Sequence, residues 1–156
     1  MLIGKIFKLS VISAMVTIFG LSHFAYSDEL PKASKRENVD YYEIVLVKYT
    51  SGMAGKASDM IRDYFVPAGK AAGTPHPFVM HMQTGQWDSI FFWKQSSMAN
   101  FDWYISANDE KWYAEFVKQS GSKEKADKIW ADYQALIAKT SRQIGHNHKS
   151  KEEKAK

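Results

Sequence analysis

Two short apolar segments joined by a two-residue turn constrain the fold of this chain more than any other feature. They cover residues 77–84 and 87–94, and Gly85-Gln86 lies between them. Glycine readily adopts the positive φ values of tight turns, so the two segments are predicted to form an antiparallel β-hairpin. Because side chains alternate across a strand, apolar groups appear on both faces of this hairpin. We therefore expect it to be covered on both sides.

A strand and a helix are predicted before the hairpin. Residues 41–49 are mostly β-branched and aromatic, which is typical of a buried strand. Residues 56–72 repeat apolar side chains every three or four positions, as one face of a helix does, and Gly73 can end that helix. Pro67 is expected to kink this helix or to end its regular part early.

Helices and a last strand are predicted after the hairpin. One helix should begin near Met98, be interrupted at Asn108-Asp109, and then resume. Residues 123–139 form a clear amphipathic helix, and residues 140–144 are predicted to form a short final strand.

The order of these elements predicts the fold class. Strand, helix, two strands, helices and strand is the ferredoxin-like split βαβ order, an α+β fold in which a four-stranded antiparallel sheet carries helices on one face. The other face would be bare and still apolar, which is unusual for a monomer. We expect a homodimer that packs sheet against sheet.

The hairpin also carries a resemblance. Residues 84–93 read Thr-Gly-Gln-Trp-Asp-Ser-Ile-Phe-Phe-Trp, and with the element order they resemble the dimeric α/β barrel superfamily over residues 40–146. That superfamily includes antibiotic-biosynthesis-type monooxygenases, muconolactone-isomerase-like proteins and stress-responsive barrel proteins. The resemblance implies a barrel formed by two copies and a pocket in its lumen. It carries over no catalytic residue.

The first 27 residues have the layout of a secretory signal peptide. Lys5 and Lys8 precede an uncharged stretch over residues 9–27, and small residues stand at the predicted cleavage site after Ser27. A retained membrane anchor is the alternative, because the stretch is near the lower length limit for a spanning helix. We expect cleavage, no stable membrane insertion afterwards, and a periplasmic or secreted protein. The domain would then be residues 40–146, between a linker at 28–39 and a charged, disordered tail at 147–156.

Charge and motifs exclude several functions. Cleavage would lower the net charge from +4 to about +2, and the remaining positive charges lie mostly near the two ends. No basic face with interleaved aromatic residues is visible, so nucleic acid is not an expected partner. The chain lacks cysteine, a P-loop, a dinucleotide-binding glycine pattern and an HExxH motif. No cofactor is predicted.

Two histidines are candidate site residues. His81 lies on the first hairpin strand, where it could act as a general acid and base in a lumen, as a catalytic residue. The alternative is a structural or helix-facing histidine. His76 stands between two prolines and is a candidate ligand-binding residue at the pocket rim, or else an ordinary loop histidine.

Two short segments of the chain are candidates for metal binding. Met80, His81 and Met82 would suit Cu(I), but strand alternation points the two thioethers away from the imidazole. His146-Asn147-His148 could hold a transition metal weakly, although it is expected to be part of a solvated tail. No metal site is therefore predicted.

Four further residues are candidate ligand-binding positions in the lumen: Tyr49, Glu43, Asp88 and Trp93. If either of the two acids is buried, its pKa should rise. The alternative is that both acids lie at an edge or on the surface.

These observations predict an exported protein that holds a small hydrophobic or aromatic molecule in the lumen of a homodimeric barrel. The first alternative is a cofactor-independent monooxygenase or isomerase of the same fold that uses His81 as acid and base. The second is periplasmic copper binding through Met80, His81 and Met82.

Overall fold

The computed structural model describes residues 30–149, and the predicted signal peptide lies outside them. The chain divides into two compact units, and the boundary lies between residues 35 and 36. In the first unit, the described residues 30–35 are exposed and have no regular secondary structure. In the second unit, the described residues 36–149 contain four strands and four α-helices. The strands are β1 (Val39–Tyr49), β2 (Phe78–His81), β3 (Ser89–Gln95) and β4 (Ile137–His148). The helices are α1 (Ala54–Met60), α2 (Val66–Ala72), α3 (Ala107–Ser120) and α4 (Lys123–Gln134).

The four strands form one antiparallel sheet in the order β2-β3-β1-β4. This order and the helices between the strands confirm the predicted α+β, ferredoxin-like fold. The helices pack on one face of the sheet, where Val47, Tyr49 and Phe91 meet residues from α1, from α4 and from the segment after it. Burial of these apolar side chains is the main stabilising contribution, as expected for a domain without cysteine.

A five-residue π-helix, Ile61–Phe65, joins α1 to α2. The amide of Val66 donates to the carbonyl of Ile61, five residues earlier. Proline has no amide hydrogen and its ring would clash with the carbonyl four residues before it, so the wider π-turn just ahead of Pro67 lets the helix continue. The predicted helix is therefore confirmed, and the proline changes its winding without ending it. Gly73 ends it with φ of 64°.

The helix predicted to begin near Met98 is wrong in its first part. Met98–Asp102 form a 3₁₀-helix, and α3 begins only after Ser106. Ser106 and Asp109 form a capping box, in which the Asp109 amide donates to the Ser106 hydroxyl at 3.2 Å and the Asp109 carboxylate accepts from the Ser106 amide at 2.8 Å. Asn108-Asp109 thus belongs to the first turn of α3 and does not interrupt a helix.

The hairpin is confirmed, but its strands are shorter than predicted. β2 ends at His81 and β3 begins at Ser89, so residues 82–88 connect them. Asp88 explains this longer connection: its amide donates to the Val47 carbonyl and its own carbonyl accepts from the Met82 amide, both at 2.9 Å. The first bond ties the connection to β1, and the second joins the two ends of the connection across the hairpin.

The final strand is much longer than the predicted 140–144. β4 includes Ile137 at one end and His148 at the other, and α4 ends at Gln134, before the predicted 139. His148 pairs with Val39, and Asn147 with Asp40. The first residues of the predicted tail, 147 and 148, therefore belong to the sheet, and β1 begins one residue before the predicted domain start.

An aromatic cluster joins the helical segments to one another. The ring of Phe65 makes edge-on contacts with four other rings, at centroid distances of 5.0–5.9 Å: Trp112, Phe116, Trp130 and Tyr133. The indole nitrogen of Trp112 donates to the Phe65 carbonyl at 3.2 Å. Part of the abundant aromatic content thus contributes to the core, where Tyr49, Phe91, Phe116 and Tyr133 are buried. Within residues 30–149, no helix has both the length and the apolar character needed to cross a bilayer.

Candidate functional site

The sheet face opposite the helices, here called the open face, carries two apolar rows across the strands. One row pairs Phe78, Phe92 and Ile44, and the next pairs Met80, Ile90 and Leu46. On β4 these rows end in Gln143 and Ser141. In the described part of the chain, both core clusters lie on the other side of the sheet. Phe78 is therefore 65% exposed and Met80 is 45% exposed.

A groove of about 380 Å³ lies on the open face. Its lining residues are Tyr42, Ile44, Phe78, Phe92, Gly145, His146 and Asn147. The rings of Phe78 and Phe92 have centroids 5.8 Å apart and are tilted by 42°, so they form one continuous aromatic wall. The groove can accommodate a flat apolar molecule and offers it few polar partners.

The absence of a side chain at Gly145 contributes to the shape of this groove. It lies opposite Tyr42, and a Cβ atom at this position would approach Ile44 Cδ1 at 3.2 Å. Such a contact is tighter than ordinary van der Waals packing, so any larger residue here would press into the groove.

Along the strand direction, charged pairs border the two apolar rows on both sides. The Lys48 ammonium lies 2.8 Å from the Asp88 carboxylate, and the Lys94 ammonium lies 2.7 Å from that of Asp40. A hydrogen bond from Lys48 is the main cause that lowers the pKa of Asp88, and one from Lys94 does the same for Asp40. The open face thus has an apolar centre between two polar rims, as protein interfaces do.

Asp88 and Tyr49 were expected as lumen residues, and the structure gives both a structural role. The Asp88 carboxylate accepts hydrogen bonds from Lys48 and from the Tyr49 amide, both at 2.8 Å. A rise in the pKa of Asp88 was expected only if the carboxylate were buried; its side chain is 26% exposed, and the hydrogen bond from Lys48 lowers the pKa instead. Tyr49 is only 3% exposed, lies in the helix-side core with its hydroxyl 3.4 Å from that of Tyr133, and has a pKa raised by burial.

Glu43 and Trp93 pair with each other across β1 and β3. They lie on the same face as Val45 and Val47, that is, on the helix side, and so neither lines the groove. The Glu43 carboxylate is 3.4 Å from the Arg142 guanidinium, and Trp93 is 37% exposed. The ligand-binding role of these two residues therefore stays a prediction.

His76 lies against the second helix. A Cβ atom at Gly69 would stand 3.1 Å from the His76 ring, so the imidazole packs directly over this glycine. His76 lines neither of the two cavities described here. Its proposed place at a pocket rim is not supported by this packing.

His81 lies at the end of β2, on the helix side, and lines a second cavity of about 190 Å³. Ile61, Val66, Val79 and Phe91 supply its apolar walls, and Ser58 and Arg62 are the other polar lining residues. His81 Nδ1 is 3.2 Å from the hydroxyl of the buried Ser89, which orients the ring. This cleft adjoins the π-helical turn, a feature that is frequent at functional sites. Arg62 is held by Asp59 and Asp63, each 2.7 Å away.

Met80 and His81 lie on opposite faces of the sheet, because they are neighbours in β2. Met82 follows the end of that strand. The three side chains therefore do not converge, and the objection raised from strand alternation is confirmed. Among residues 30–149, no group of three or more His, Cys, Asp or Glu side chains is arranged to hold a metal ion.

The residues that line the groove were not identified from the sequence as a site. Alternation along a strand puts Phe78 on one face of β2 and Phe92 on one face of β3, but which face of β3 joins which face of β2 depends on the register. With a seven-residue connection, the pairing of Phe78 with Phe92 follows from the positions where the strands end. Gly145 could have been suspected, since glycine within a strand often marks a close approach of another group.

Comparison with known proteins supports the fold and goes no further. The chain resembles a NIPSNAP family protein of unknown function from Agrobacterium tumefaciens, with 13% identity and a TM-score of 0.50, over 73% of this chain and 93% of that one. A second NIPSNAP family protein from the same organism has 11% identity and a TM-score of 0.44, over 69% and 90% of the two chains. No family model and no curated protein matches the sequence.

Proposed function

We propose that this protein binds a small hydrophobic or aromatic molecule in the groove of the open face. The observation that carries the proposal is the apolar groove of about 380 Å³ on the face that the helices do not cover. The rings of Tyr42, Phe78 and Phe92 line it together with Ile44, and His146 and Asn147 are further lining residues. Ligand sites commonly combine such apolar walls with a few polar groups that fix orientation.

We also propose that a second copy closes the groove. As a single chain, the protein leaves the apolar rows of the open face in water, and large exposed apolar patches mark interaction sites. A twofold arrangement brings the same patch from both copies together, with the charged pairs Lys48–Asp88 and Lys94–Asp40 at its rims. The resemblance to dimeric α/β barrels supports the same arrangement, in which the two grooves face a common lumen.

Export is the third part of the proposal. It rests on the basic start, the uncharged stretch and the small residues before Asp28. Cell fractionation and N-terminal sequencing of the recovered protein test it: a chain beginning at Asp28 outside the cytoplasm agrees, and an uncleaved cytoplasmic chain contradicts it.

Native mass spectrometry of the purified protein tests binding and dimerisation together. We expect a dimer that carries a co-purified organic molecule, which is released on denaturation and can then be identified. A bare monomer, from every buffer and growth condition tried, would contradict both the shared lumen and the ligand.

A second candidate function is catalysis at the helix-side cleft, and the orientation of His81 by Ser89 favours it. His81 would act as acid and base on a small aromatic substrate in a cofactor-independent oxygenation or isomerisation. The compound released from the native protein is the first substrate to try. Product formed by the natural protein and lost in His81→Asn supports this function, whereas equal turnover by both proteins removes it. Copper binding by Met80, His81 and Met82 is not proposed, because their side chains diverge.

A further inference from the structure

Two exposed histidines project from the same face of β4. His146 and His148 are separated by one residue in the strand, and such residues point to the same side of a sheet. Their rings have centroids 5.3 Å apart and meet at an interplanar angle of 77°. Pairing with Val39 and Tyr41 of β1 fixes the backbone of both residues. The pair is thus part of the sheet, not of a mobile end.

The spacing of these rings fits two imidazoles that share one metal ion. With a metal–nitrogen distance of about 2.1 Å and a tetrahedral angle, two coordinating imidazole rings have centres about 5 Å apart. The observed centroid separation of 5.3 Å is close to this value. Both rings are exposed, so an ion can reach them and keep water in its remaining positions.

We propose that His146 and His148 form a bidentate site for a divalent late transition metal ion. Neutral imidazole suits copper, nickel and zinc, and the usual order of affinity places Cu²⁺ first. The strand holds the two ligands near their bound separation, so little conformational entropy is lost when the ion binds. Tyr41 lies on the same face, with its ring centroid 6.3 Å from that of His146, and shields one side of the pair.

The metal site shares one residue with the groove proposed for the organic ligand. His146 also borders that groove, but His148 does not, so His148 separates the two proposals experimentally. Binding of the ion without an organic molecule would support the metal site alone. Binding of an organic molecule without the ion would support the groove alone.

Titration of Cu²⁺ into the untagged protein, with calorimetry and electron paramagnetic resonance, tests the site. We expect one ion per chain with a spectrum showing two nitrogen ligands. His148→Asn should weaken binding of the ion by at least about tenfold. Even the loss of a residue that only hydrogen-bonds to a metal ligand lowers metal affinity by about 10–100-fold. Unchanged affinity in His148→Asn would overturn the proposal.

A rearranged variant provides the matched control. Asn147→His combined with His148→Asn keeps two histidines in the segment but moves the second ring to the opposite face of β4. If the strand geometry makes the site, this variant binds as weakly as His148→Asn alone. If it binds as tightly as the natural protein, the affinity comes from local histidine content and the proposed geometry is wrong. Circular dichroism of each variant confirms that the sheet is intact.

Discussion

At the scale of single residues, the same types of side chain have different roles on the two faces of the sheet. Tyr49 and Tyr42 both belong to β1, yet Tyr49 is buried beneath the helices and Tyr42 borders the groove. The sequence predicts the alternation of side chains but not which set meets the helices. That choice depends on the length of the connections and on the register with β4, which are properties of the folded chain.

Gly145→Ala tests the groove with a single methyl group. The new Cβ would lie 3.2 Å from Ile44 Cδ1 and would enter the space a ligand needs. Because this methyl group takes up space in the groove, we expect about tenfold weaker binding of the aromatic probe anilinonaphthalene sulfonate, a loss of about 1.4 kcal/mol of binding free energy, measured by fluorescence. Gly55→Ala is the control, because nothing lies within 4 Å of its added Cβ. Equal binding by both variants would place the probe elsewhere.

Asp88→Asn tests the structural role of this carboxylate through pH. Its pKa is lowered in the folded protein, so it stabilises the fold above its ordinary pKa of 3.8, and this contribution is lost as the pH falls below that value and through the lowered pKa of the folded state. We expect the variant to lose about 1 kcal/mol of unfolding free energy at about pH 7, after allowance for solvent screening of the lysine, and almost nothing at about pH 2. Urea unfolding at both pH values measures this.

The exposed pair of Lys128 and Asp132 provides the comparison for Asp88. Both of its side chains are more than half exposed, at 74% and 52%. Asp132→Asn should therefore change stability by only a few tenths of a kcal/mol at either pH. If Asp88→Asn behaved in the same way, the bonds from Lys48 and the Tyr49 amide would contribute little to the stability of the fold.

At the scale of elements, sequence periodicity predicts the existence of helices better than their boundaries. The apolar spacing of Met98, Phe101 and Ile105 suits a helix, but these residues lie in a 3₁₀-turn and the loop that follows it. The capping box at Ser106 decides where the helix begins, because it satisfies amides that the first turn leaves unpaired. A search for Ser followed three residues later by an acid would have found it.

Ser106→Ala tests whether this cap stabilises α3. Removing the hydroxyl leaves the Asp109 amide without its acceptor, so we expect the unfolding free energy to fall by about 1 kcal/mol. Thermal or urea unfolding followed by circular dichroism measures the change. Ser51→Ala, in an exposed turn, should have almost no effect. A similar loss in both variants would mean that the capping box adds nothing specific.

At the scale of the whole molecule, the order of elements was enough to predict the topology. Strands of the split βαβ order pair in only a few ways, since crossover connections are strongly restricted in hand. The groove could not be predicted in the same way. It arises where Phe78, Phe92 and Ile44 from three strands meet beside Gly145 of the fourth, and this requires the register of all four strands.

The proposed dimer predicts that two exposed aromatic residues differ in their effect on assembly. Phe78 is 65% exposed on the open face, and Tyr104 is 98% exposed in the loop before α3. If a second copy covers the open face, Phe78→Ser removes a central aromatic contact and should weaken dimerisation by about tenfold or more. Tyr104→Ser should leave it unchanged. Sedimentation velocity over a range of concentrations measures both. A loss of dimer in Tyr104→Ser alone would assign the interface to that loop, and the groove would then have to bind its ligand without a partner.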